Sequence, residues 1–275
     1  MTLLRGLDGC LRAIGGGASV RRVIDTLRRT TASIRLSPSS LISWRGWAGG
    51  SMARRGRLIV FLGPVGVGKS TIIRGLTQEL RARGFKTYII FIKAFHGPAY
   101  ALWVLTARLL GLNGKYAPWF IIYKSGHANL AKVLLMLSIY LDTFISIPLK
   151  LMIIRAFRCI GYYVVSEEYL QSTIFDYIYS IINTRTRNNF ISVPLEILNS
   201  LLSKYPPDIT IALMANISEL KRRWVIRGYG DPQLRYVLLQ YSFLKKLDHV
   251  FFINTADMGI KDTLNKVLNE IIMKV

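Results

Sequence analysis

The chain has 275 residues, 51% of them hydrophobic, enough to bury the core of one large domain or two small ones. Lys and Arg outnumber Asp and Glu by 37 to 15, a net charge of +22, which favours anionic partners such as nucleotide, nucleic acid or lipid headgroup; no recognised nucleic-acid module accompanies it. The two cysteines, Cys10 and Cys159, are far apart and lack metal-ligand spacing, which excludes a disulfide framework and a zinc site and fits a reduced, cytoplasmic setting.

Residues 1–51 differ from the rest. They hold eight Arg and two Asp but no Lys, Phe or Tyr, with clusters such as Gly15-Gly16-Gly17 and Ser37-Pro38-Ser39-Ser40. Such a segment cannot build a packed core. It reads as a targeting peptide, as a basic arm, or as sequence ahead of a true start at Met52. The third reading is preferred, and the domain is then 52–275.

Past Met52, short β-rich runs alternate with helical stretches, the pattern of a parallel sheet with crossover helices. Strand one covers 57–62. Directly after it stands Gly63-Pro64-Val65-Gly66-Val67-Gly68-Lys69-Ser70-Thr71, a G-x-x-x-x-G-K-[ST] run that leaves a strand and enters a helix over 70–83. In that context the glycines let backbone N–H groups cradle phosphates, and the helix N-terminus adds favourable dipole. Lys69 reaches the same phosphates and Ser70 coordinates Mg²⁺. ATP and Mg²⁺ are therefore the expected ligands.

Strand two covers 86–92 and a helix 98–111. A Gly/Pro-marked loop runs through Gly114, Pro118 and Gly126, then helix returns over 127–158 with a bend at Pro148. Charges at Lys132, Asp142, Lys150, Arg155 and Arg158 interrupt the apolar 130–165 region. No uncharged window reaches the roughly 18 residues of a spanning helix, so no transmembrane segment is expected. Strand three (162–165), helices (172–183, 194–204), strand four (209–214), a basic helix (217–227), a helix (232–247), strand five (249–253) and a closing helix (259–273) complete the chain. The fold expected is a doubly wound, five-stranded, mostly parallel α/β sheet of the P-loop kinase type, with its site at the strands' carboxyl ends.

Glu167 ends an apolar strand, where an acid can orient Mg²⁺ or its water shell. Arg223 and Arg227 share one side of the basic helix, which with Gly228 spans about 217–228. They are the candidate lid that neutralises transferring charge.

Three stretches resemble the thymidylate kinase family of nucleoside monophosphate kinases: the Gly63–Thr71 loop, Val164-Val165-Ser166-Glu167-Glu168-Tyr169-Leu170-Gln171-Ser172, and Pro207-Asp208-Ile209-Thr210-Ile211-Ala212-Leu213. The second is similar to that family's D-R-Y-x-x-S strand end, the third to its P-D-L-T-I-x-L strand, and the resemblance covers about residues 57–274. It implies transfer of the γ-phosphoryl of ATP to a nucleoside monophosphate, dTMP first among them, or to a related small acceptor. It also allows a homodimer and places Glu168 and Tyr169 on the acceptor side. The chain departs from the family at four places. Val65 stands where the loop usually has an acid, and Glu168 falls where an arginine grips the acceptor phosphate. Lys93-Ala94-Phe95-His96-Gly97-Pro98 replaces a Glu-Pro ending, with Lys93 the substitute phosphate contact. No arginine stands near Ile139–Thr143 to face the base. The rival reading is a nucleotide-binding regulatory or nucleic-acid-associated ATPase on the same fold.

Overall fold

The computed structural model describes residues 56–112, 118–186, 191–228 and 233–273; the expected extension 1–51 lies outside them. Strands β1 (Leu58–Leu62), β2 (Thr87–Phe91), β3 (Tyr163–Glu167), β4 (Ile209–Met214) and β5 (Val250–Asn254) form one all-parallel sheet in the order β2-β3-β1-β4-β5. Central β1 is covered on both faces, and all five of its residues are buried, so it reads as an unbroken apolar run. Because successive side chains alternate across a strand, Leu58, Val60 and Leu62 enter one core while Ile59 and Phe61 enter the other.

The second core is closed by α1 (Lys69–Ala82) and α10 (Ile260–Met273). Ile72, Ile73, Leu76 and Leu80 of α1 meet Val267, Leu268 and Ile271 of α10, the spacing of one helix face. The first core is larger and takes α2 (Pro98–Leu109), α3 (Pro118–Lys124), α4 (Ala128–Leu141), α5 (Ile147–Cys159), α6 (Leu170–Asn183) and α7 (Ser192–Lys204). Helices α8 (Ile217–Ile226) and α9 (Leu234–Leu244) join β4 to β5. The chain winds from β1 out to β2 and β3, then crosses to β4 and β5. The crevice that this reversal opens lies at the carboxyl ends of β1 and β3.

Two differences from the sequence expectation have physical causes. Helix α3 falls inside the expected loop, since a proline is tolerated in a helix's first turn and need not mark a loop. The distortion in the long helix is a π-turn over Asp142–Ser146, one turn ahead of the expected bend. Pro148 cannot donate to the Phe144 carbonyl four residues back, and the wider turn absorbs that mismatch. Ala128–Cys159 is thus one 32-residue helical stretch whose most apolar window has a mean hydropathy of 1.8, long and apolar enough by length and composition to cross a membrane. Half of that apolar window is buried inside the protein, with Leu134, Leu135, Ile139, Ile147, Leu151 and Ile154 in the core, as in a core helix.

Candidate functional site

The loop between β1 and α1 is shaped by its glycines. Gly63, Gly66 and Gly68 have φ of 138°, 90° and 102°, conformations that side chains disfavour. Space is equally tight: a Cβ on Gly63 would lie 2.4 Å from the Leu213 carbonyl oxygen, and one on Gly66 2.7 Å from Trp224 Nε1. Pro64 and Val67 are buried within the turn, and Val65 is exposed at its tip. Thr71 and Ile72 N–H both donate to the Gly68 carbonyl at 3.1 Å. Helix α1 therefore starts at Lys69 and Ser70, with no acid in its first turn to oppose an incoming anion.

The Lys69 ammonium donates to the Gly63 carbonyl at 2.6 Å and the Pro64 carbonyl at 3.1 Å. It also pairs with Glu168 Oε1 at 2.9 Å. All three of its donors are thereby used. Both partners are buried, Lys69 at 5% exposure and Glu168 at 2%. The other Glu168 oxygen accepts from Ser172 Oγ. Its backbone is held at φ 62°, with Glu168 N–H on the Phe61 carbonyl at 2.9 Å and Ser166 Oγ on the Glu168 carbonyl at 2.6 Å. A buried ion pair persists only with such supporting bonds. Glu168, placed by the resemblance where a phosphate clamp belongs, is here the counter-charge of Lys69.

Ser70 Oγ donates to both carboxylate oxygens of Glu167, at 3.1 and 3.0 Å, bringing the two candidate metal residues together. A hydroxyl and one carboxylate fit Mg²⁺, which keeps waters and substrate phosphates among its oxygens. Among the described residues no group of three or more His, Cys, Asp and Glu could hold a metal. The pair therefore suits a cation that arrives with its nucleotide.

Lys93 follows β2 and is half-buried. Burial opposes its charge, yet the carboxylates of Asp176, Glu168 and Glu167 outweigh that and hold its pKa above the ordinary lysine value. Asp176, on α6, is pushed up to about 6 by desolvation, offset in part by the Lys93 charge and a hydrogen bond from Tyr236. The sequence reading passes over Asp176 and Tyr236. The available signal is an acid inside an otherwise buried helix face, where Leu170–Ile178 are all buried. Tyr169 departs from its expected acceptor role. It is wholly buried and its hydroxyl donates to the Tyr205 carbonyl at 2.8 Å, so it anchors α7's end. Beyond Lys93, the Phe95 amide (φ 61°) donates to Asp142 Oδ2 at 2.8 Å, and Tyr177 donates to the same oxygen.

Helix α8 clamps the glycine loop. Arg223 Nη1 donates to the Val67 carbonyl and to Thr255 Oγ1, both at 3.1 Å, and Nη2 to the Thr255 carbonyl at 2.8 Å. Its Nε donates to Glu219 Oε1 at 2.7 Å. Trp224 Nε1 donates to the Val65 carbonyl at 2.8 Å. Asn216 caps α8 by accepting from Glu219 N–H at 2.9 Å. Hydrogen bonds from Arg222 and Arg223 pull the Glu219 carboxyl down to about 2. Arg223 is thus committed to the loop's carbonyls, while Arg227, one turn on, is exposed. Trp224 and Thr255 are further residues that the motif pattern does not reveal. Asp208 of the Pro207-Asp208 motif serves the opposite end of the sheet, accepting from Leu58 N–H at 2.6 Å and pairing with Arg158 at 2.9 Å.

No protein-family model matches the chain, and no curated protein matches it in sequence. Among solved structures, thymidylate kinase from Candida albicans aligns at a TM-score of 0.51 and 18% identity, over 80% of this chain and 92% of that one. That likeness shows the fold, a five-stranded parallel α/β sheet shared with that structure.

Proposed function

We propose that this chain transfers the γ-phosphoryl group of ATP to a nucleotide or related small acceptor. The observation that carries the reading is the convergence, at the carboxyl ends of β1 and β3, of a glycine loop, the Lys69 ammonium and the Ser70–Glu167 pair. Backbone amides of Gly63–Gly68 and the Lys69 ammonium hold the phosphates, and Ser70 and Glu167 hold Mg²⁺. Bound there, Mg²⁺ would supply charge neutralisation across the phosphates. Arg223 keeps the loop in its phosphate-accepting shape by holding its carbonyls, and exposed Arg227 is the lid cation free to approach. Phosphoryl transfer asks the protein mainly for positioning and charge, and these residues provide both. ADP release from Mg²⁺-ATP, screened against nucleosides, dTMP, dUMP and other monophosphates, tests the reading. Acceptor-dependent ADP release supports it; ATP binding without any acceptor response refutes it.

A second reading, a nucleotide-binding regulatory or nucleic-acid-associated ATPase, draws on the net charge of +22 and on the carboxylate that occupies Lys69. A steep salt dependence of DNA or RNA binding would favour it.

A further inference from the structure

We propose that the outward face of the long helix Ala128–Cys159 is a docking surface for an anionic lipid bilayer, on which the protein lies without crossing it. The helix buries Ala131, Leu134, Leu135, Ile139, Leu151 and Ile154 in the larger core. On the side turned away from that core it exposes Val133, Leu137, Phe144, Ile145, Leu149 and Met152. Apolar side chains scattered singly over a surface are ordinary. A continuous row of them marks a contact site.

These side chains keep one line along the helix. Val133 and Leu137 are four residues apart, Ile145 and Leu149 four, and Leu149 and Met152 three, the steps of a single α-helical face. Leu137 and Ile145 are eight apart, one more than two helical turns allow. The π-turn at Asp142–Ser146 takes up that extra residue and brings the second half of the row back into register. Across the turn the Phe144 ring stacks on that of Tyr140, with centroids 5.8 Å apart. From Val133 to Met152 the row runs about 28 Å, at the helical rise per residue.

Charge selects the occupant. Residues 128–159 contain four bases, Lys132, Lys150, Arg155 and Arg158, and one acid, Asp142. Asp142 is buried and held by the Phe95 amide and the Tyr177 hydroxyl, so the helix presents no carboxylate on its outward face. Arg158 pairs with Asp208. Lys132 adjoins Val133, Lys150 adjoins Leu149 and Arg155 stands three residues beyond Met152, so a base accompanies the row at each end and within it. Helix α2, packed beside α4, contains no acid and exposes Leu105, Arg108 and Leu109. A second copy in a two-fold contact would set this patch against itself, bases facing bases with no acid of the helix to answer them. A nucleic acid would answer the bases through its phosphates but leave the apolar row in water. An anionic bilayer satisfies both at once. The apolar side chains sink below the headgroups, while the lysine and arginine stems lie along them and carry their charges to the lipid phosphates.

The test sediments the full chain with sucrose-loaded vesicles of phosphatidylcholine, alone or mixed in equal parts with phosphatidylglycerol. Binding to the mixed vesicles and not to phosphatidylcholine alone is the expected result. The double variant Leu149→Gln, Met152→Gln changes two side chains that are 57% and 67% exposed, so it keeps the net charge and the circular dichroism spectrum. It should weaken binding about tenfold. Arg155→Ala should weaken it about fivefold, the worth of one base at an anionic surface. Failure to sediment with the mixed vesicles overturns the proposal. Sedimentation that the double variant leaves unchanged also overturns it, since the net charge of +22 would then be acting through another face. Sedimentation velocity without vesicles completes the test: a dimer that the double variant splits would assign the row to a second copy and overturn the lipid role.

Discussion

Lys69 Nζ and Glu168 Oε1 form an ion pair 2.9 Å long in which both partners are almost wholly buried. Removing one partner of such a pair strands the other charge, typically at a cost of about 3–5 kcal/mol. Lys69→Ala should therefore lose ATP binding and also unfold at lower temperature. Titration calorimetry and thermal unfolding monitored by circular dichroism check the two effects separately, the first on protein kept below its own transition. Unchanged ATP affinity in the folded variant would show that the phosphates bind elsewhere.

The clamp from α8 gives a second expectation. Arg223 and Thr255 both donate to the Val67 carbonyl, at 3.1 and 3.0 Å. Arg223→Ala should weaken ATP binding about tenfold, equivalent to about 1.4 kcal/mol, with Thr255→Val weakening it less. Because the two share one acceptor, the double variant should cost less or more than the sum. Strict additivity in ATP titrations would show that the clamp does not act through the loop.

Gly63 and Gly66 are both confined, but by different neighbours. An added methyl on Gly63 meets the Leu213 backbone carbonyl, whereas on Gly66 it meets the Trp224 ring. Backbone cannot retreat as a side chain can. Gly63→Ala should lower the unfolding temperature by several degrees, at roughly 2–4 °C per kcal/mol for a chain of this size, and Gly66→Ala by less. For Gly66→Ala, partial recovery on adding Trp224→Ala would identify the ring as the obstacle. Equal losses in the two single variants would contradict the ranking.

Asp176 makes stability depend on pH in a defined direction. Its carboxyl is held at about 6 in the folded protein, chiefly by desolvation, against about 3.9 when unfolded. Between those values the folded state binds the extra proton, so this group's contribution to stability falls as pH rises from about 4 to 6 and stays low above. The swing is of order 2–3 kcal/mol. Urea unfolding at pH 4.5 and pH 7 should show Asp176→Asn gaining on the unaltered chain at the higher pH. An advantage that grows towards acid would reverse the assignment.

Much of this was legible in the sequence because it is local. Apolar runs, glycine spacing and Lys69-Ser70 fall within a few residues of one another, and they suffice to place β1, the loop and α1. Glu167 was legible too, as an acid ending an apolar strand. What the pattern could not show were contacts between distant segments: Glu168 with Lys69, Asp176 with Tyr236, and Arg223 and Trp224 with the loop's carbonyls. Tyr169 shows the converse. The resemblance to the D-R-Y-x-x-S strand end suggested the site, but its rotamer carries the hydroxyl away to Tyr205. Helix α3 was missed because proline opens helices as readily as it marks loops.

The π-turn at Asp142–Ser146 adds one residue to an otherwise regular helix, so the segments before and after it run out of phase by about 100°. That offset allows Leu134 and Leu135 on one side, and Leu151 and Ile154 on the other, to meet the same core. It also sets Asp142 beneath the Phe95 amide. The number of residues between Ala128 and Cys159 is thus as much a part of the design as their identity. Replacing Phe144 or Ile145, both exposed, leaves the count intact. Deleting either would restore a regular α-turn and set the Pro148 ring against the carbonyl four residues before it, the clash that the wider turn avoids.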